Sequence, residues 1–158
     1  MVQSDAARQR FTLDTNILVY SADRAAGERH ALAIDIVARS ARAGGVLTLQ
    51  SLSEFYVVST RKTLIERGRA AMLVDSWMAA FSCIAVSANA VRRALADAVA
   101  GRASYWDALL VATAAEGGCA AILTEDMANG TSLGGVEIHN PFDPGGGLTT
   151  QARQLLGL

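Results

Sequence analysis

Short apolar runs at Phe11–Leu13, Val46–Leu49, Cys83–Val86, Ala120–Leu123 and Val136–His139 alternate along the chain with longer segments whose apolar residues recur at helical spacing. Runs this short cannot enclose a core alone, and strand–helix alternation of this kind leads to a sheet covered by helices on both faces. The predicted fold is α/β, a three-layer α/β/α domain with a central, mainly parallel sheet of about five short strands. Helices are predicted from Asp14 to about Gly27 and over Glu28 to Ala43, Ser51 to Thr60, Arg67 to Phe81, Ala88 to Ala100 and Tyr105 to Glu116. The glycine pairs Gly44-Gly45 and Gly117-Gly118 supply two of the stops. Thr124 to Gly135 is polar and glycine-rich and reads as a connection.

A chain of 158 residues has the length of one domain. The expected division is a principal domain over residues 1–142 and a glycine-rich tail over 143–158. In that tail a flexible triple glycine precedes a short amphipathic stretch around Leu148, Leu155, Leu156 and Leu158, expected at the periphery. No apolar run approaches the roughly 18 residues that span a bilayer, and the start, MVQSDAARQRF, has no apolar segment resembling a signal peptide. Cytoplasm is the expected location, with no membrane partner. Cys83 and Cys119 stand singly in apolar surroundings, so buried free thiols are expected and a disulfide framework or zinc site is not. Neither G-x-G-x-x-G nor G-x-x-x-x-G-K-[ST] occurs, which removes the common nucleotide-binding loops.

Four acids occupy the junctions of this alternation. Asp14 and Glu54 follow consecutive strands, Asp107 lies in the first turn of the helix leading to a later strand, and Asp126 follows that strand. In a parallel α/β sheet, strand C-termini and helix N-termini share one edge, so the four converge there. Each also has a plain structural explanation: Asp14 suits an N-cap, Ser51-Leu52-Ser53-Glu54 has the capping-box pattern, and Ser104-Tyr105-Trp106-Asp107 is a near relative. As a set they argue for more than capping, because clustered carboxylates repel unless a cation is shared among them. An all-oxygen donor set without His or Cys points to a hard ion, Mg²⁺ or Mn²⁺.

The segments FTLDTNILVYSAD, TLQSLSEFYVVSTRK, SYWDALLVATAAEGGCAAILTED and VEIHNPF carry a resemblance that runs nearly end to end. The chain resembles PIN domains, most closely the VapC-type ribonuclease toxins of bacterial type II toxin–antitoxin pairs. The resemblance implies that residues 1–142 form a PIN-like nuclease domain and that Asp14, Glu54, Asp107 and Asp126 are its catalytic and metal-binding residues. Asp14 and Asp107 would be the main ligands. Asn16 and Thr124 match places where a small polar group orients the acids or a bound water. An RNA substrate, a cognate antitoxin protein and a homodimer are further implications.

Charge and aromatic residues supply candidates for holding RNA. Setting the four acids aside from the 15 acidic residues leaves 11 against 14 basic ones, nearly all Arg. Guanidinium grips phosphate through paired hydrogen bonds. Arg61, Lys62, Arg67 and Arg69 follow the Glu54 helix as RNA-binding candidates, and Arg24 and Arg29 flank the loop after the Asp14 helix. Tyr20, Tyr56, Tyr105 and Trp106 are able to stack bases or to fill the core. The expected activity is divalent-metal-dependent endoribonuclease, a toxin hydrolysing phosphodiester bonds with a metal-activated water. The alternative is a catalytically silent PIN-like module that binds RNA or a protein partner. A haloacid-dehalogenase phosphatase is set aside because Asn16 stands where that chemistry needs a second Asp.

Overall fold

The computed structural model describes residues 9–158. Residues 1–8, which contain most of the segment read above as lacking a signal peptide, lie outside the described residues. The strands are β1 (Phe11–Leu13), β2 (Gly45–Thr48), β3 (Cys83–Ile84), β4 (Ala121–Leu123), β5 (Ser132–Leu133) and β6 (Val136–His139). The helices are α1 (Thr15–Ala22), α2 (Glu28–Ala43), α3 (Leu49–Arg61), α4 (Arg67–Ala80), α5 (Ala88–Val99), α6 (Tyr105–Glu116) and α7 (Thr150–Leu155), with one 3-10 turn at Arg24–Ala26.

The sheet runs in the order β3-β2-β1-β4-β6-β5, and every pairing is parallel except that of β5 with β6. Alternate strand residues face opposite layers, as the pleat requires. Phe11, Leu13, Leu47, Ala121 and Leu123 pack with Ile17, Ile36, Phe55 and Trp77 from the first four helices. Val46, Ile122 and Ile138 pack with Leu110 and Val111 of α6 on the other side. Small residues, Ala90 and Ala94 against Ala108 and Ala112, bring α5 close to α6.

Three expectations need correction. The sheet has a sixth strand: β5 turns into β6 through Gly134 and Gly135, both at positive φ (57° and 82°), which suits a tight two-residue hairpin. Two residues are too few to display a strand's alternation, so the segment reads as loop. Next, α3 begins before Ser51. The Thr48 hydroxyl accepts the Ser51 N–H and caps the helix, which moves Glu54 beyond the first turn and removes its capping-box role. Finally, the tail is not peripheral. Ala152 and Leu156 are buried in the main core with Leu148 and Leu155 against it, because Ala152 and Leu155 of α7 and its C-cap Leu156 stand at helical spacing and Leu148 is bridged to Phe142. The glycine turn folds that helix back, with the Gly147 N–H bonded to Glu28 at 3.2 Å.

Candidate active site

β1 ends at Leu13, and the Asp14 backbone N–H continues the sheet by bonding Leu123 O at 3.0 Å. Extended backbone at Asp14 then opens α1, and its side chain accepts the Thr15 N–H at 2.7 Å. The other carboxylate oxygen accepts from the Thr124 hydroxyl at 2.7 Å, just beyond β4. That hydroxyl also accepts from Asn16 Nδ2 at 3.2 Å and from the Asp126 N–H at 3.1 Å. One donor and two acceptor positions fill its capacity. Asp14, Asn16, Thr124 and the Asp126 backbone therefore form one network across neighbouring parallel strands.

Asp14 is only 8% exposed. Burial pushes its carboxyl up from 3.8 to about 6; the hydrogen bonds from Thr124 and Thr15 oppose the rise, and the Asp126 and Asp107 carboxylates add to it. Glu54 approaches from α3, where Thr15 donates to Oε2 at 3.2 Å and Gln50 donates to Oε1 at 2.9 Å. Gln50 Nε2 also reaches Trp106 O at 3.0 Å, which ties Glu54 to the first turn of α6, where Asp107 lies. The Asp107 N–H bonds the Ser104 cap, and among the described residues no hydrogen bond holds its carboxylate.

Thr15 and Gln50 were not anticipated from sequence. Gln50 had a usable signal, since it precedes Glu54 by four residues and faces it on the same helix. Thr15 had none beyond adjacency to Asp14. Glu125 was also missed. It accepts from Tyr20 OH at 2.7 Å and from Arg29 Nε at 2.6 Å. This engages Arg29 with protein, and its guanidinium sits 5.0 Å from the Phe142 ring centroid. Burial and then the bond to Glu125 push the Tyr20 phenol up to about 12, so it remains a donor.

Arg61, Lys62, Arg67 and Arg69 are exposed, and among the described residues no hydrogen bond or ion pair joins their side chains to the four acids. Arg69 and Arg24 share a shallow depression with Asp23 and Glu66 between the end of α1 and the α3–α4 connection. Trp106 is 61% exposed and borders an open apolar groove of about 480 Å³ with Leu49, Val57, Val86 and Leu109, beside Glu54. Tyr56 is partly exposed, whereas Tyr20 packs edge-on to Phe142 and Tyr105 to Trp106. His30 bonds the Tyr20 carbonyl and His139 pairs with Glu137. Cys83 and Cys119 are free, and burial raises both thiols, Cys119 to about 11.

Charge and donor type suit a hard divalent cation. Asn16 Oδ1 and Gln50 Oε1 are in addition buried without hydrogen-bond partners, acceptors of the kind such an ion or its water shell engages. The acids do not form a ready-made cage: among the described residues no three His, Cys, Asp or Glu side chains stand close enough to hold an ion. The arrangement is a buried, doubly bonded Asp14, a Glu54 joined to the same turn through the Thr15 hydroxyl, and Asp107 and Asp126 carried by the first turn of α6 and the segment after β4.

A PIN domain sequence profile matches residues 11–128, most of the chain, and the protein belongs to the PIN domain family. Three solved structures with a similar fold are a toxin and two toxin–antitoxin assemblies. The sarcin-ricin loop cleaving toxin VapC20 of Mycobacterium tuberculosis superposes with a TM-score of 0.58 at 18% identity, covering 73% of this chain and 89% of that one. A toxin–antitoxin complex from Klebsiella pneumoniae gives 0.55 at 21% identity, covering 84% and 98%. VapBC2 from Rickettsia felis, bound to a DNA fragment from its promoter, gives 0.58 at 12% identity, covering 83% and 98%. Identities this low establish a shared fold. No curated protein matches the chain in sequence. Among the described residues no helix is long and apolar enough to cross a membrane.

Proposed function

We propose that this protein is a divalent-metal-dependent endoribonuclease acting as the toxin of a toxin–antitoxin pair, with Asp14, Glu54, Asp107 and Asp126 as its working acids. The observation that supports the reading is a buried Asp14 carboxylate at the end of β1, held by the Thr15 N–H and by the Thr124 hydroxyl that also accepts the Asp126 N–H, in a PIN domain. A Mg²⁺ or Mn²⁺ ion bound there would lower the pKa of a water and neutralise phosphate charge.

The chain's own residues divide the remaining work. Asp14 and Asp107 bind the ion, Asp14 being fixed by Thr15 N–H and the Thr124 hydroxyl. Glu54, with both oxygens already accepting hydrogen bonds, orients the ion's surroundings. Asp126 is exposed and its carboxylate makes no hydrogen bond, which leaves it available as a ligand or as acceptor of the attacking water's proton. Asn16 and Thr124 keep Asp14 in place. Arg61, Lys62, Arg67 and Arg69 supply exposed positive charge for the RNA backbone, and single-stranded loops of structured RNA are the accessible substrate. RNA as substrate is supported by the sarcin-ricin loop cleaving neighbour. An antitoxin partner is supported by the two neighbours solved with theirs. A homodimer and a cytoplasmic location complete the proposal.

The test is incubation of purified protein with total cellular RNA in Mg²⁺, Mn²⁺ or EDTA, beside Asp14→Asn. The expected result is a few discrete cuts that require metal and vanish in the variant. Cutting by Asp14→Asn at the wild-type rate would remove the proposed site. No cutting under any metal would favour a silent module that binds RNA or protein.

A further inference from the structure

Asp126 poses a positioning problem. Among the described residues nothing hydrogen-bonds its carboxylate, so its location depends on the backbone that carries it. Thr124 fixes that backbone on one side by accepting the Asp126 N–H at 3.1 Å. The intervening residue, Glu125, extends a partly buried side chain toward α1 and α2, where Tyr20 OH and Arg29 Nε both donate to it. Arg29 is in turn seated on Phe142, and Tyr20 meets the same ring edge-on at 5.8 Å. Thr124, Glu125 and Asp126 thus form a three-residue span pinned to α1 and α2 at its centre and to the Thr124 network at its end.

We propose that Glu125, clamped by Tyr20 and Arg29, is a positioning residue that sets the distance of Asp126 from Asp14 and Asp107 and so the affinity of the acidic edge for a divalent ion. The inference rests on the reading of that edge as a cation site. It follows from the geometry in two steps. The acids do not stand as a closed cage, so bringing Asp126 into contact with a shared ion requires its loop to be held near the others. The bonds from a cationic guanidinium and a part-buried phenol to a carboxylate are charge-assisted and stronger than neutral ones, which gives the span a second side-chain anchor beside the Thr124–Asp14 bond. On the other side of Asp126, Met127 packs against the core cluster of Val46, Ile122 and Ile138, which leaves Glu125 as the contact of this span with α1 and α2.

Mn²⁺ titration by calorimetry on the full chain distinguishes this inference from the reading beneath it. Wild type, Asp14→Asn, Glu125→Ala and Glu125→Gln are compared, each with its circular dichroism spectrum and melting temperature. Wild type binding Mn²⁺ while Asp14→Asn does not would establish the cation site. Glu125→Ala is then expected to bind about 10-fold more weakly, the scale seen when outer-shell partners of a metal site are removed. Glu125→Gln, which retains an acceptor for one of the two donors, should recover part of that loss. Should Glu125→Ala melt too low to titrate, Tyr20→Phe removes one donor and keeps the ring, and is expected to weaken Mn²⁺ binding several-fold. Wild-type affinity in a folded Glu125→Ala or Tyr20→Phe protein would overturn the positioning role and leave the cation site standing. Absence of Mn²⁺ binding by wild type would overturn both.

Discussion

Asp14 and Asp126 follow adjacent parallel strands and belong to one hydrogen-bond network, yet their surroundings differ sharply. Asp14 is buried with both carboxylate oxygens accepting bonds, whereas Asp126 is exposed and contributes only its backbone N–H. Burial is costly for a charged group and the nearby acids add to the cost, so Asp14 is pushed to about 6. One end of the site is therefore rigid and charge-strained, and the other is accessible and steered through its backbone. On the proposed reading, a shared cation would relieve the first and draw in the second.

The largest expected effect is on cleavage. Asp14→Asn should lower RNA cleavage by at least about 100-fold, the loss of a few kcal/mol of transition-state stabilisation, measured as initial rates on the RNA cut by wild type. The same substitution should raise stability at pH 7 in metal-free buffer by about 1–3 kcal/mol, since a neutral amide carries no ionisation cost. The sign follows from linkage: Asp14 ionises near 3.8 when unfolded and about 6 when folded, so between these values the folded protein holds the extra proton. The stabilisation associated with that proton is present in full below about 3.8 and is lost as pH rises through 6. Denaturant unfolding of wild type and Asp14→Asn from pH 4 to 7 should accordingly show a gap that widens with pH. A constant gap would break the contrast drawn between the two acids.

Thr124→Val tests the hinge between the two environments. It keeps the shape but deletes the hydroxyl that donates to Asp14 and accepts from Asn16 and Asp126, at an expected cost of about 1–3 kcal/mol by denaturant unfolding. Because the Thr124 bond lowers the Asp14 pKa, the pH at which cleavage rises should also move upward. Reversal of Arg61 and Arg69 to Glu lies outside the acidic network. It should reduce the slope of RNA affinity against log salt by about 1.4, two single-strand phosphate contacts, without altering Mn²⁺ affinity. The smallest effect belongs to Asp126→Asn, whose unfolding free energy should stay within about 0.5 kcal/mol of wild type, as for other exposed substitutions.

Much of this was legible in the sequence because strand and helix lengths are local properties. The alternation placed the four acids at strand-to-helix handovers, and parallel topology assigned those to one edge. What sequence obscured was long-range or very short. Glu125 stands 105 residues from Tyr20 and 96 from Arg29, so nothing near it announces the clamp, and Arg29 read as a free phosphate contact. β5 has only two residues, below the length at which alternation is visible. The start of α3 was read at Ser51 from its capping-box pattern, whereas the cap is Thr48, which lies buried at the end of β2. The tail misled through its glycines, although Ala152, Leu155 and Leu156 already held the spacing of a buried helical face.

The central claim is that one cation relieves the charge on Asp14. Thermal unfolding of wild type and Asp14→Asn at pH 7, each with EDTA and with millimolar Mn²⁺, tests it most directly. The account predicts that Mn²⁺ raises the wild-type melting temperature by mass action, narrowing its deficit relative to Asp14→Asn, and that the variant's own melting temperature stays unchanged. An equal Mn²⁺ response in both proteins, or none in wild type, would contradict it.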